Sequence, residues 1–201
     1  MNKLLSFLII FSLISCASGR LEEKLFPVYV TDSSRYTILP ADKMKGNIDG
    51  VQRMCARFGS REFESDVYVI ADNTQLSMTA VNDFGATMAS LVYANGRLDF
   101  DSPVITQKIK AEYIVADFQF CLYDEEAVKT ELMKSGVDFE VSASCSLDGN
   151  CTESRILSKK NKEIARIIKE YVNEDGKEII KKISYENFLR GYSYELTGGK
   201  S

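Results

Sequence analysis

Five cysteines are the residues of this 201-residue chain best equipped for chemistry: Cys16, Cys55, Cys121, Cys145 and Cys151. A thiolate can attack a carbonyl, hold a metal, carry an acyl group or close a disulfide, and its neighbours decide which. The sequence contains no histidine, which removes Cys-His and Ser-His-Asp catalysis and the commonest zinc ligand. No CxxC spacing is present, so no metal site is expected. Cys145 and Cys151 bracket the turn-rich Ser146-Leu147-Asp148-Gly149-Asn150 and are candidates for a local disulfide. Two free thiols, or a pairing of Cys55 with Cys121, are the alternatives that the spacing leaves open. Among carboxylates only Asp117 invites suspicion, because it precedes the apolar run Phe118 to Leu122; a helix cap or an exposed charge is the plainer reading. No catalytic residue and no cofactor are expected, and the chain is read as a non-enzyme.

Cys16 is different in kind. Met1-Asn2-Lys3 supplies one positive charge, and Leu4 to Ile14 is an unbroken run of apolar and small residues. Spanning a bilayer takes about 20 apolar residues, so a run this short reads as the core of a signal peptide, residues 1–15. It closes on Leu13-Ile14-Ser15-Cys16, which is similar to the bacterial lipobox, where a small residue precedes a cysteine whose thiol carries diacylglycerol. The resemblance implies lipid attachment at Cys16. Each buried methylene contributes about 0.8 kcal/mol, so several acyl chains hold a protein durably where one does not. Ala17 follows, where retention in the inner membrane calls for aspartate. The implied place is the inner leaflet of the outer membrane, with the protein facing the periplasm.

The whole chain, with 45% apolar and 27% charged residues, has the composition of a globular protein, and the part after residue 15 is long enough for one domain. A formal net charge of -4 gives no reason to expect nucleic acid. Residues 16–50 read as lipid anchor, tether and irregular segment, with Phe26 to Val30 a candidate edge strand. Residues 51–197 read as the domain.

Within that domain the alternation of apolar residues predicts β-structure first. In Glu62 to Asp72 both faces carry apolar side chains, with Tyr68 and Ile70 opposite Val67, Val69 and Ala71. Leu76, Met78 and Ala80 alternate with polar residues, as do Ala89, Leu91 and Tyr93, and Asn95-Gly96 is a type I′ hairpin signal. Residues 62–100 are thus a four-stranded meander. Ile114, Val115, Phe118 and Leu122 fall on one helical face, Asp124 can cap a second helix, and Gly136 can end it. Strand pattern returns at Val137 to Val141. Residues 163–172 fit a helix or a strand, and the mirrored run 178–183 beyond Asn173 to Gly176 favours a hairpin. The lysines along it read as a solvated outer face, and Gly191 to Leu196 as the last strand.

Several of these stretches, in this order, carry a family resemblance. They are the lipobox, Leu76-Ser77-Met78-Thr79 leading to Phe84-Gly85, the Asn95-Gly96 hairpin, Ala116-Asp117-Phe118-Gln119-Phe120 and the closing Arg190-Gly191-Tyr192. Together they resemble an uncharacterised family of bacterial outer-membrane lipoproteins similar to LolB. The resemblance implies an α+β, mostly antiparallel fold: a curved, incomplete β-barrel with two short helices as lid or plug. It also implies an apolar cavity, for which Tyr68, Ile70, Leu76, Met78, Leu91, Tyr93, Phe118 and Leu122 are the expected lining. Phe84 occupies a turn similar to the one that carries an exposed leucine in LolB, which implies a membrane-contact loop. The implied activity is binding of acyl chains, delivered by a LolA-like periplasmic carrier, and insertion of a lipoprotein or specialised lipid into the outer membrane. A structural lipoprotein with a filled core is the competing expectation.

Overall fold

The computed structural model describes residues 27–103, 110–174 and 177–198; Cys16 and the apolar run before it lie outside the described residues. Two short strands, β1 (Val28–Thr31) and β2 (Ser34–Tyr36), pair with each other. Five longer strands follow: β3 (Ile48–Phe58), β4 (Arg61–Ala71), β5 (Gln75–Val81), β6 (Thr87–Ala94) and β7 (Arg97–Asp101). Helices α1 (Ala111–Leu122) and α2 (Glu125–Met133) come next. The chain ends in β8 (Asp138–Cys145), β9 (Asn150–Lys159), β10 (Lys162–Glu174), β11 (Lys177–Asn187) and β12 (Tyr192–Gly198).

The ten longer strands form one curved antiparallel sheet, not closed into a barrel, in the order β7-β6-β5-β4-β3-β12-β11-β10-β9-β8. It is two meanders joined at a seam, where β3 pairs with β12 from Tyr192 opposite Phe58 to Gly198 opposite Gln52. Side chains alternate across a strand, so this register assigns the faces. Val67, Val69 and Ala71 lie opposite Ala80, Met78 and Leu76, and these in turn lie opposite Ala89, Leu91 and Tyr93. All of them face the concave side. The Asn95-Gly96 turn has positive φ at both residues, as a type I′ hairpin requires.

Helix α1 lies in the trough and is buried almost all round, from Val115 to Leu122. Its far side is covered by residues 28–47. Tyr36 meets Phe120 edge-on at 4.8 Å between ring centres, and Gln119 accepts from the Tyr36 hydroxyl and the Leu39 amide while donating to the Leu39 carbonyl. Tyr36, Ile38 and Met44 belong to the same core as the sheet. This segment therefore corrects the reading of it as irregular tether: it supplies the fourth wall around α1. The expected edge strand at Phe26 to Val30 becomes β1, which pairs with β2 and not with the main sheet. Asp124 caps α2 as expected, accepting from the Ala127 amide at 2.9 Å, and α2 lies against β8.

Residues 163–172 are strand, within β10. One lysine there overturns the expectation of a solvated outer face. Lys169 lies opposite Ile183 on the concave side and is buried.

Cys145 and Cys151 are joined as a disulfide across the end of the β8-β9 hairpin. Cys55 and Cys121 are free, the first on the outer face and the second inside α1, so they do not meet. The bridge closes a short loop, six residues apart in sequence, and chain entropy then gives it about 2 kcal/mol. Replacing both cysteines with serine should lower the unfolding free energy by that amount in a urea titration. A loss above about 4 kcal/mol would mean that the bridge holds more than its own hairpin.

Candidate functional site

Six of the eight residues expected to line a cavity are brought together, but not around a space. Leu76, Met78, Leu91 and Tyr93 from the sheet meet Phe118 and Leu122 from α1 in one core. Leu76 and Leu122 are 0% exposed. An empty chamber large enough for an acyl chain would leave its walls accessible from within, and these walls are covered by packed neighbours. Tyr68 and Ile70 are a correction of another kind. Because Val67, Val69 and Ala71 point into the trough, the residues between them must point out. Tyr68 is 45% exposed on the convex face, where its hydroxyl donates to Asp49 at 3.0 Å.

The trough is not purely apolar. Near the C-terminal end of α1, Arg155 of β9 is buried and donates to the Phe120 and Tyr123 carbonyls at 3.1 and 2.8 Å. These are carbonyls that the end of a helix leaves without intrahelical partners, and a cation there also opposes the helix dipole. Glu153 accepts from Arg155 at 2.6 Å and from Lys169 at 3.1 Å, and Lys169 also pairs with Glu178 at 3.1 Å. Burial pushes the Glu153 carboxyl up, but Arg155 and Lys169 together hold it below its ordinary value. The sequence reading missed this group because charges inside a strand pattern look like a solvent face.

At the middle of α1 lies a second polar cluster. Asp117 is buried, neither a helix cap nor an exposed charge, and accepts from the Tyr192 hydroxyl at 2.6 Å. Tyr185 joins the same carboxyl, and Asn187 donates to Tyr185 and Tyr192. Burial raises Asp117 to about 7, with the tyrosine hydrogen bonds and the charge of Arg190 pulling it partly back. The space beside it is about 10 Å³, the room of a single water. Cys121 is buried, bonded to Tyr194 across 3.6 Å, and burial pushes its thiol up to about 12. Among the described residues, no cluster of three or more histidine, cysteine, aspartate or glutamate side chains is placed to hold a metal ion.

From this interior an aromatic track leads to the end of the trough at the β3-β4 turn. Phe118 stacks on Tyr194 at 6.2 Å, Tyr194 on Tyr185 at 5.0 Å, Tyr185 on Tyr192 at 5.8 Å and Tyr192 on Phe58 at 5.6 Å; Phe58 then meets Phe63 edge-on at 6.0 Å. Phe58 and Phe63 sit either side of the β3-β4 turn and are about half exposed. Phe84 stands out of the β5-β6 turn, 94% exposed. On the convex face a groove of about 410 Å³ crosses β3, β12, β11 and β10. Within it Arg57 pairs with Glu62, and Arg166, Glu64 and Glu195 pair with Glu163, Arg53 and Lys182 beyond its lining.

The family model described as "Protein of unknown function (DUF3261)" matches residues 49–197. No curated protein matches. Nine solved chains do. A DUF1329 family protein from Desulfovibrio piger is 9% identical with a TM-score of 0.33, over 78% of this chain and 86% of that one. A domain described as an outer membrane lipoprotein-sorting protein, from Vibrio parahaemolyticus, is 8% identical with a TM-score of 0.32, over 77% and 84% of the two chains. Likeness this distant carries no argument about what the site does.

Proposed function

We propose, for a chain that belongs to the DUF3261 family of unknown function, a non-enzymatic, lipid-anchored role in which acyl chains are taken up at the end of the trough beside the β3-β4 turn. The anchor is Cys16, the setting is the periplasmic side of the outer membrane, and the cargo is a lipoprotein or specialised lipid received from a LolA-like carrier. The observation that carries this reading is the aromatic track from Phe63 and Phe58 at the surface to Phe118 on α1. An acyl chain needs a continuous apolar path, and stacked rings provide one at little entropic cost because they are already ordered. Since the core behind it is filled, deeper entry requires residues 28–47 or α1 to give way.

The filled core also favours a second reading. A lipoprotein that braces an envelope assembly needs no chamber, and the complete burial of Leu76 and Leu122 is what such a body requires.

Native mass spectrometry with lipid extraction separates the two, on protein purified from its own host. A co-purifying acyl lipid that is lost in the Phe58→Ser, Phe63→Ser double variant supports uptake along the track. Both rings are already half exposed, so the variant keeps its core. Protein that is consistently empty and binds no hydrophobic probe rejects uptake and leaves the structural role.

A further inference from the structure

The strand register sorts the turns of the sheet into two ends. β3 ends and β4 begins at Phe58 and Arg61. Asp66 opposite Val81 puts the β5-β6 turn at that same end, and Tyr192 opposite Phe58 puts the β11-β12 turn there too. The turns at 72–74, 95–96 and 146–149 lie at the other end. Exposed large apolar side chains are not shared evenly between them. Phe58, Phe63, Phe188 and Leu189, each 43–48% exposed, and Phe84 lie on or beside the turns of the first end; the second has Leu147 and Ile179 beside its turns, with Val51, Tyr68 and Val92 farther in along the strands.

The apolar turns are stiff. Asn82 accepts from the Phe84 and Ala86 amides at 3.0 and 2.9 Å, and its own amide donates to the Ala86 carbonyl. Asn187 accepts from the Arg190 amide at 2.9 Å, the Phe188 amide donates to Ile164, and the Gly59 amide donates to Gly191, linking two of the turns. Side chains held out into water on ordered turns lose little freedom when a surface covers them.

The first described strand, β1, lies at this end. The Tyr29 amide of β1 donates to the Tyr113 hydroxyl at 3.3 Å, and its carbonyl accepts from Arg190, the residue after Leu189. The stretch from Cys16 to Val28 spans at most about 40 Å even when fully extended. The eleven residues of β3 are themselves about 36 Å long, so the opposite end lies a whole strand farther from the attachment point.

We infer that the β3-β4, β5-β6 and β11-β12 turns form one face that docks on a lipid surface, with the strands standing upright on it and the mouth between Phe58 and Phe63 opening onto the bilayer. The inference rests on the anchor at Cys16 proposed above. It adds an orientation and a footprint: five apolar side chains on three turns, and an end of the molecule that stays in water.

The sequence contains no tryptophan, so single substitutions report their own surroundings. The lipidated full-length chain would be reconstituted into vesicles of phosphatidylethanolamine and phosphatidylglycerol, with and without brominated acyl chains. Phe84→Trp and Leu189→Trp should shift to the blue and lose most of their emission to the bromines, whereas Leu147→Trp should do neither. Unquenched emission at 84 and 189 in protein that floats with the vesicles overturns the docking face while leaving the anchor and acyl uptake standing; so does equal quenching at 147. Protein that does not float overturns the anchor, and the docking face with it.

Discussion

Arg155→Ala should cost the folded protein about 3–5 kcal/mol, enough to unfold a domain of ordinary stability. The side chain is buried and makes three bonds: to the Phe120 and Tyr123 carbonyls at the end of α1 and to Glu153. Truncation leaves two carbonyls without a donor in a dry place and leaves Glu153 to Lys169 alone. Removing one member of a buried ionic group costs far more than the group contributes, because the surviving charge has no water to turn to. The control is a triple replacement of Arg155, Glu153 and Lys169 by methionine or leucine, which leaves no buried charge; Glu178, the other partner of Lys169, is 38% exposed and stays in water. It should recover the part of the loss that comes from Glu153, while the Phe120 and Tyr123 carbonyls still lack a donor. Equilibrium unfolding in urea, followed by far-UV circular dichroism, checks both. A loss below about 1 kcal/mol for Arg155→Ala would show that the helix end is held by packing and not by this residue.

Asp117→Asn should act in the opposite direction, and only above a particular pH. The folded-state value is about 7, raised by burial over an ordinary aspartate, whereas in the unfolded chain the carboxyl ionises at about 3.9. A raised value means that the folded state keeps a proton which the unfolded state has already released. Stability from this group is therefore complete below about pH 4, falls as pH rises, and levels off above about 7. Three units correspond to about 4 kcal/mol at most, and relaxation around the charge brings the expected loss to about 2–4 kcal/mol. Asparagine cannot ionise but still accepts from Tyr192. The variant should match the wild type in acid and exceed it by this margin at neutral and mildly alkaline pH. Urea titrations across that range measure the gap; a gap independent of pH would remove Asp117 as its source.

Reading the sequence went furthest where one face of a strand was apolar. The alternation in Leu76 to Ala80 and in Ala89 to Tyr93, the Asn95-Gly96 turn, the α1 pattern and the Asp124 cap all correspond to elements of the fold. Strand β9 was not legible, for a physical reason. Its inward residues include Glu153 and Arg155, so the trough face carries the charges that alternation assigns to water. Its exit turn, Lys160-Asn161, has positive φ at both residues without glycine to announce it. Strand β3 was hidden by Gly50, Arg53 and Arg57, which dilute the pattern. The expected cavity failed differently. Six of its eight expected residues face inward and Tyr68 and Ile70 do not; periodicity reports which side of a strand alternates and cannot report whether a helix fills the space there. Tyr36, which seals that helix through Gln119, sits in a segment with little such pattern.

The placing of the first and last long strands at the middle of the sheet governs how the chain can assemble. Each meander is a series of neighbouring hairpins, whose ends need travel only a short way to meet. The seam joins residues 52–58 to 192–198, and closing a loop of that length comes late and slowly because its entropy is lost before any contact rewards it. Until β12 is in place, the halves have no common sheet, and the trough around α1 has only one side. A folding chain is thus kept open by its own connectivity, and loss of β12 would divide the sheet along its centre and not merely trim an edge.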